Sequence, residues 1–564
     1  MRRRLPTLLP LLLLAVLYTG YVLGPLAALL SESLRTGGGW TLERYAALVD
    51  PRNSAALEAV ANSVGVSVAS VVLSAPVGLL LALAFTQCEF PGRRALARLA
   101  LLPVALPPLV GVIAFMLVFG ESGMVPGALR GLFGPAAPVP VLDGIPAVVA
   151  VHVYSFFVYS YLFVSSALLR VDASALEAAA SLGAGPGRTF ARVVLPFLRP
   201  ALAGASLLTF MASMASFTAP LLFAGDRRFM TLQITIAKTN GDLPGAAAMS
   251  FALAAVSALF FLLLRSTGAA DTAAARTKGV ARPGRLPLSR PVCLGLALFA
   301  WVFVLICMAP PAAIILVSFA REGSWTTQLL PGAVTADHYL RLFTDASAFE
   351  PLRNSAVMSV LALAAVLPAG VAAAWMLVKG PLRRWRGASD AALTLPYAVP
   401  GTVTAVALIL AFALPSPAAG GSILVGTFWI LPLAYAVRTY PLMIRSVSAA
   451  LSSVDDSLLE AAGSLGAGPW RTFRRVVAPL VVPAVASGAV LVLVASLGEF
   501  VSSVLLYTYD SRPASVEIFS RLRAYDLGGA AALSVLLMAA MLILVAAGSR
   551  VDRSGDGRIG PFSG

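Results

Sequence analysis

Histidine occurs twice in these 564 residues, cysteine three times, and charged side chains make up only 12%. A soluble chain of this size carries about twice that charged fraction, so composition excludes a water-soluble globular protein. Cys88, Cys293 and Cys307 are odd in number and scattered, two of them in apolar runs, which predicts neither a disulfide framework nor a metal site. His152 stands alone in an apolar segment, and no cluster of His, Cys or carboxylates suggests a metal centre. A nucleotide-binding loop is missing too. Gly183-Ala-Gly-Pro-Gly-Arg-Thr189 superficially resembles one, but lacks the lysine and the spacing. No nucleotide-binding site, and no cofactor, is therefore expected in this chain.

What the chain has in abundance is apolar length. Hydrophobic residues make up 59% of it, and its mean hydropathy is +0.87. Runs such as Leu5 to Leu30, Leu99 to Phe119 and Ala530 to Ala547 match the roughly 20 residues a membrane-crossing helix needs. They are continuous rather than alternating, which favours helices over a barrel. The expected fold is an all-α polytopic membrane protein of about twelve transmembrane helices. These fall near 5–30, 59–86, 98–120, 146–169, 193–222, 247–266, 291–319, 354–378, 388–413, 421–444, 477–506 and 528–548. The opening Met-Arg-Arg-Arg suggests a signal peptide, but the following run is too long and no clear cleavage site follows, so an uncleaved span is expected. With the N-terminus inside, 28 of the 41 Lys and Arg but only 10 of the 26 Asp and Glu collect on the inner side. The net charge of +15 thus reflects the positive-inside rule and not a nucleic-acid partner. Both termini are expected in the cytoplasm, with the chain in a bacterial inner membrane.

The chain is built twice. Glu177 to Pro196 recurs almost verbatim as Glu460 to Pro479, with every matched pair 283 positions apart. Asn62-Ser63 matches Asn354-Ser355, Pro76 and Gly78 match Pro368 and Gly370, and Pro103 and Pro107 match Pro396 and Pro400. Further on, Asp226, Arg228, Asp242 and Gly245 match Asp510, Arg512, Asp526 and Gly529. Residues 267–290 are polar, basic and rich in Ala, Gly and Pro, and read as a flexible cytoplasmic linker. They separate a first half, 1–266, from a second, 291–549, leaving a cytoplasmic tail at 550–564. Six spans per half is an even number, so the halves are expected to be parallel repeats about an axis along the membrane normal.

The repeated polar segment falls between the fourth and fifth spans of each half, on the inner side. Ser174 to Glu177 and Ser457 to Glu460 fit a capping box. The spacing predicts a short helix to about Leu182 or Leu465, stopped by Gly183 or Gly466. Pro186 and Pro469 suit the first turn of the next helix, which carries Arg188 and Arg192, or Arg471, Arg474 and Arg475. The product is a helix–turn–helix elbow projecting from the membrane.

The pattern Glu-Ala-Ala with Gly six residues after the Glu resembles the cytoplasmic loop of binding-protein-dependent ABC importer permeases. It covers Glu177, Ala178, Ala179 and Gly183, and again Glu460, Ala461, Ala462 and Gly466. The resemblance implies that each elbow, including Pro186, Arg188, Pro469 and Arg471, inserts into a groove on an ATP-binding subunit. Two copies of that subunit, an extracytoplasmic substrate-binding protein and membrane lipid are the implied partners. A double permease in one chain resembles the iron(III)/thiamine branch. Leu-Gly-Glu-Phe500 and Arg512-Pro-Ala-Ser-Val-Glu-Ile518 resemble the ferric permeases, so ferric iron is the expected cargo. Thiamine, phosphonate and polyamine permeases share the architecture.

Glu499 is the strong candidate for an intramembrane charge, and such charges mark transport pathways. It lies 16 residues after Pro483, about 24 Å up the eleventh helix, near a possible outer gate. The repeat places Ser216 opposite it, so Ser216, Phe217, Glu499 and Phe500 are the candidate pathway or gate residues. On the outer side, residues 226–234 and 510–518 keep their register and are candidates for a lid and a dock. A twelve-helix secondary transporter would share the parallel halves but leave the elbow unexplained. A membrane enzyme would need a catalytic constellation, and none is visible.

Overall fold

The computed structural model describes residues 12, 14–36, 39–134, 138–266, 284–324 and 330–554. Most of the proposed linker and tail, 267–283 and 555–564, therefore lies outside the described residues. The architecture is helical, with one two-residue hairpin pairing Arg35–Thr36 and Gly39–Trp40. The first half contributes α1 (Gly24–Leu34), α2 (Ser54–Gln87), α3 (Pro108–Phe119), α4 (Gly144–Leu168), α5 (Ala173–Ser181), α6 (Leu195–Met214), α7 (Met230–Thr239) and α8 (Leu243–Ser266). The second repeats the series as α9 (Arg290–Ser318), α10 (Ala346–Val378), α11 (Gly401–Phe412), α12 (Ile430–Ser453), α13 (Asp456–Ser464), α14 (Ala478–Leu497), α15 (Ala514–Arg523) and α16 (Leu527–Ser554).

Among the described residues, ten helices are long and apolar enough to cross a membrane, or eleven if a bent pair is taken as one span. The expected twelve is not reached. Its symmetry predicts α12 as a span, but Arg438, Arg445 and a Ser-rich end lower its apolar content. The third spans are also not the continuous helices expected at 98–120 and 388–413. In the first half the chain forms Arg93–Leu99 and Leu102–Ala105 before α3. In the second, the helical segment Pro381–Ala398 meets α11 at 96°. Pro107 and Pro400 sit at the breaks with extended backbone, ψ 133° and 150°, because proline cannot continue a helical hydrogen-bond ladder.

The halves pack alike. The matched glycines Gly78 and Gly370 sit where α2 meets α4 and where α10 meets α12. A Cβ on Gly78 would lie 2.5 Å from Ser160 Cβ, and one on Gly370 2.6 Å from Met443 Cγ. Small residues let helix backbones approach closely where no water drives them together. The first helix of each half crosses to the other. Leu29 of α1 is buried in one cluster with Val403 and Val406 of α11, and the Tyr21 hydroxyl donates to the Ala418 carbonyl at 2.6 Å. In return, Phe303 of α9 meets Phe157 of α4 edge-on at 4.9 Å.

One expectation about cysteine fails. Cys88, at the end of α2, and Cys293, in the first turn of α9, form a disulfide with Cα atoms 5.5 Å apart. The crossing of α9 onto the first half brings together two residues 205 positions apart, a proximity that spacing alone does not reveal. Cys307 is free and buried.

Candidate functional site

Each elbow begins with a cap two residues earlier than expected. Asp172 and Asp455, not Ser174 and Ser457, take the cap position, with Ser174 N–H donating to Asp172 at 3.1 Å and Ser457 N–H to Asp455 at 3.0 Å. Those hydrogen bonds hold both carboxyls below the usual Asp range. A lowered folded value stabilises above the unfolded pKa and is lost as pH falls through the folded one, so both caps are intact at neutral pH. Glu177 and Glu460 are freed from any capping box, and both are exposed.

The turns are Schellman motifs built alike. Ala184 N–H donates to Ala179 O at 3.0 Å and Gly183 N–H to Ala180 O at 2.9 Å. Ala467 and Gly466 repeat this onto Ala462 and Gly463, both at 3.0 Å. Gly183 and Gly466 are left-handed, φ 72° and 75°, as the motif requires. Ala179 and Ala462 face inward and are buried, while Ala178 and Ala461 are exposed. Pro186 and Pro469 open the next helical turns, Pro186–Thr189 and Pro469–Thr472, where Arg188 and Arg471 are exposed. A π-helical turn follows in each half, Phe190–Val194 and Phe473–Val477, and leads straight into α6 or α14. Each elbow's second arm is thus the foot of a membrane helix.

Sequence reasoning missed the elbow tips. Leu182 and Leu465, 283 residues apart, are each 87% exposed. Both lie inside the repeated segment, and a hydrophobic residue kept at a turn was the available signal. The two elbows are braced differently. Lys379 Nζ reaches Asp456 at 2.5 Å and Val454 O at 2.8 Å beside the second. Beside the first, Gly284 N–H donates to Val171 O at 2.9 Å.

At the opposite end of the bundle, α6 and α14 end at matched breaks. Glu499 is not on the eleventh helix, which stops at Leu497; it lies in the turn beyond, as Ser216 does after Met214. Glu499 is not alone either. Its carboxylate pairs with Arg438 Nε of α12 at 3.1 Å and accepts the Ser502 N–H at 2.8 Å. Arg438 Nη1 is buried without a hydrogen-bond partner. In the first half the equivalent cluster is uncharged: Ser216 bonds His152 Nε2 at 2.8 Å, and Ser70 and Ser213 flank Nδ1 at 3.0 Å each. His152 is thus a satisfied packing residue. The next residues, Phe217 and Phe500, are both buried and meet across the halves with ring centroids 6.1 Å apart. Their contact joins the two halves at these breaks.

The two outer segments are helices α7 and α15, pinned identically. Met230 N–H donates to Ser63 Oγ at 3.0 Å and Ala514 N–H to Ser355 Oγ at 2.8 Å. Asn62 and Asn354 donate to the carbonyls of Arg228 and Arg512. Thr231 donates to Ser216 O at 2.9 Å, and Ser515 to Glu499 O at 2.8 Å. Each such helix therefore ties the second span to the break beside the phenylalanines. The expectation that no metal-type cluster exists also needs correction: Glu322, His338 and Asp526 bring ligand atoms within 4.8 Å of one another. They have protein partners, Asp526 accepting from Gly529 N–H and pairing with Arg521, and His338 Nε2 bonding Ala320 O.

A duplicated membrane bundle with one elbow per half is the architecture of a permease. The chain belongs to the family described as binding-protein-dependent transport system inner membrane component, which it matches twice, at residues 74–269 and 366–554. It is 32% identical over 519 residues, 90% of each chain, to "Probable ABC transporter permease protein y4fN" of Sinorhizobium fredii. It is 28% identical over 457 residues to "Ferric transport system permease protein FbpB" of Actinobacillus pleuropneumoniae, covering 79% of this chain and 64% of that one. Over 204 residues it is 34% identical to "Molybdenum transport system permease protein ModB" of Mycobacterium bovis, covering 36% of this chain and 75% of that one. The chain is a multi-span permease subunit of a bacterial ABC importer, not an enzyme and not a secondary transporter.

Proposed function

We propose that this chain forms the whole translocation path of an importer for ferric iron, driven by two copies of an ATP-binding subunit and fed by an extracytoplasmic binding protein. The observation that carries the coupling is the pair of matched elbows, each presenting an exposed leucine at a left-handed turn. The elbows lie on the cytoplasmic side, with both termini. Closure of the ATPase pair moves α5 and α13 together, and the rigid passage from elbow into α6 and α14 conveys the motion to the breaks at Ser216 and Glu499. Phe217 and Phe500 are the outer gate, closed in this conformation, with Arg438 and Glu499 beside it. The helices α7 and α15 are the lids that the binding protein must displace.

Ferric cargo is supported by the length of the match to a ferric permease and by Leu-Gly-Glu-Phe500. Relatives named for thiamine and for molybdenum keep thiamine and molybdate in view, while phosphonate and polyamine remain alternatives only through the shared architecture. The deciding experiment is uptake into vesicles containing this chain, its ATPase and its binding protein. ATP-dependent accumulation of labelled ferric iron is expected. Accumulation of thiamine or molybdate instead would overturn the cargo and leave the coupling scheme standing.

A further inference from the structure

Among the described residues, Tyr525 is the only non-glycine with a positive φ, at 62°. Its setting explains the backbone but not the side chain. The lid helix α15 ends in a Schellman motif, in which Asp526 N–H donates to Arg521 O at 3.0 Å and Tyr525 N–H to Leu522 O at 3.1 Å. The first half ends α7 the same way, Asp242 N–H on Ala237 O at 2.9 Å and Gly241 N–H on Lys238 O at 3.2 Å. The matched residue there is Gly241, φ 83°. Glycine fits such a turn without penalty, whereas a Cβ is disfavoured in it. The tyrosine gains no packing in exchange, because it is 90% exposed.

A second exposed tyrosine flanks the same helix, with the Arg512 guanidinium 5.0 Å from its ring centroid. The register that matches Asp226 with Asp510 sets Tyr509 against Gly225, and Tyr509 is 82% exposed. Tyr509 precedes α15 and Tyr525 follows it. The ten-residue helix between them is about 15 Å long. The first lid bears glycine at both positions, with Asp226, Arg227 and Arg228 exposed beside the first.

Tyrosine at a membrane boundary often anchors in lipid headgroups. The location of α15 argues against that here. Its Phe519 ring lies 5.5 Å from Phe500, which in turn meets Phe217 of the other half, so the lid sits over the centre of the bundle and not on its rim. An exposed, strained residue there is placed for a partner that arrives over the gate. Tyrosine suits a protein partner: large, stiff, with an apolar body and a polar tip.

We propose that Tyr509 and Tyr525 are the two anchors by which the second half grips the extracytoplasmic binding protein. The first half offers charge and bare backbone at the same places, so the binding protein docks in one orientation only. One of its surfaces is reserved for the tyrosines and another for Arg227, whose counterpart in the second half is Ser511. This rests on the reading of the lid face as the outer face of a binding-protein-dependent importer.

The test uses the whole chain with its ATPase in lipid nanodiscs and the purified, cargo-loaded binding protein of the same transport system. Tyr525→Gly removes the strained side chain and restores the first half's turn. It should leave the melting temperature unchanged or raised, while binding weakens at least tenfold; Tyr509→Gly should weaken it likewise. A photo-crosslinker at 525 and another at 227 should mark different surfaces of the binding protein. Unchanged affinity in both tyrosine variants would overturn the proposal, as would crosslinks from 525 and 227 to the same surface. A lower melting temperature for Tyr525→Gly with unchanged affinity would assign the ring to the lipid boundary. If the unaltered complex failed to bind the binding protein at all, the importer reading itself would fall instead.

Discussion

Gly183 and Gly466 show how little a side chain has to contribute to matter. A Cβ on either would meet nothing within 4 Å, so replacement by alanine acts through the left-handed backbone alone, at about 1 kcal/mol per site. The double variant with valine should be worse, since β-branched residues are least tolerant of positive φ. It should reach the membrane in normal amount, yet lose ATPase co-purification and cargo uptake; normal uptake would show that the elbow turn is not the coupling element. Truncating both tips, Leu182→Ala with Leu465→Ala, should weaken ATPase association by roughly tenfold or more, as expected for apolar anchors at the centre of an interface. Glu499 makes a contrasting case. Its side chain is only 12% exposed and neutralises Arg438, which already has an unpaired nitrogen. Glu499→Gln should destabilise by about 1–3 kcal/mol, read as a lower melting temperature in detergent. Replacing Arg438 by Met and Glu499 by Leu together should recover most of that loss.

At the scale of elements, the pins matter more than the charges. Ser63 and Ser355 each accept the first free N–H of a lid helix in a buried setting. Alanine at both should leave those N–H groups unsatisfied, at about 1–3 kcal/mol each. Amide exchange should then quicken in 230–239 and 514–523 while α2 and α10 stay protected. Equal exchange in lids and spans would mean the lids are not separately held. The elements were legible in the sequence to different degrees. The elbow turns, the proline after them and the register of the lids followed from local patterns, which is where capping chemistry and helix periodicity act. The caps were misplaced by two residues because Asp and Ser both serve as caps and both were present. The breaks at Pro107 and Pro400, and the ends at Met214 and Leu497, were hidden inside runs whose hydropathy stays high through the break. Hydropathy reports burial, not backbone continuity. The Arg438–Glu499 pair joins residues from different helices, which no local pattern contains.

For the molecule as a whole, the crossed first helices bind the halves more than the linker does. Expressed as two chains divided within 267–283, the halves should co-purify as a stable complex and retain ATP-dependent uptake. Separate purification would show that the covalent connection holds them. Cys88 and Cys293 meet at the crossing, at the elbow end and on the side read as cytoplasmic, where thiols are usually kept reduced and a bond between them forms only on oxidation. In cells both thiols should therefore be reduced, with Cys293 open to labelling and Cys88, as buried as Cys307, labelled only after denaturation. Treatment with diamide should protect the pair and leave Cys307, which is buried, unlabelled until denaturation.

The crossing also imposes an order of events during synthesis. Tyr21 of the first helix finds its acceptor at Ala418, 397 residues later. At roughly 5–20 residues per second, that interval is about 20–80 s. For that time the first helix sits in the bilayer with its eventual neighbour unmade, its tyrosines facing lipid or the insertion machinery. The first half therefore cannot be finished before about half of the second is made, and quality control must tolerate an open-sided intermediate for most of the life of the nascent chain.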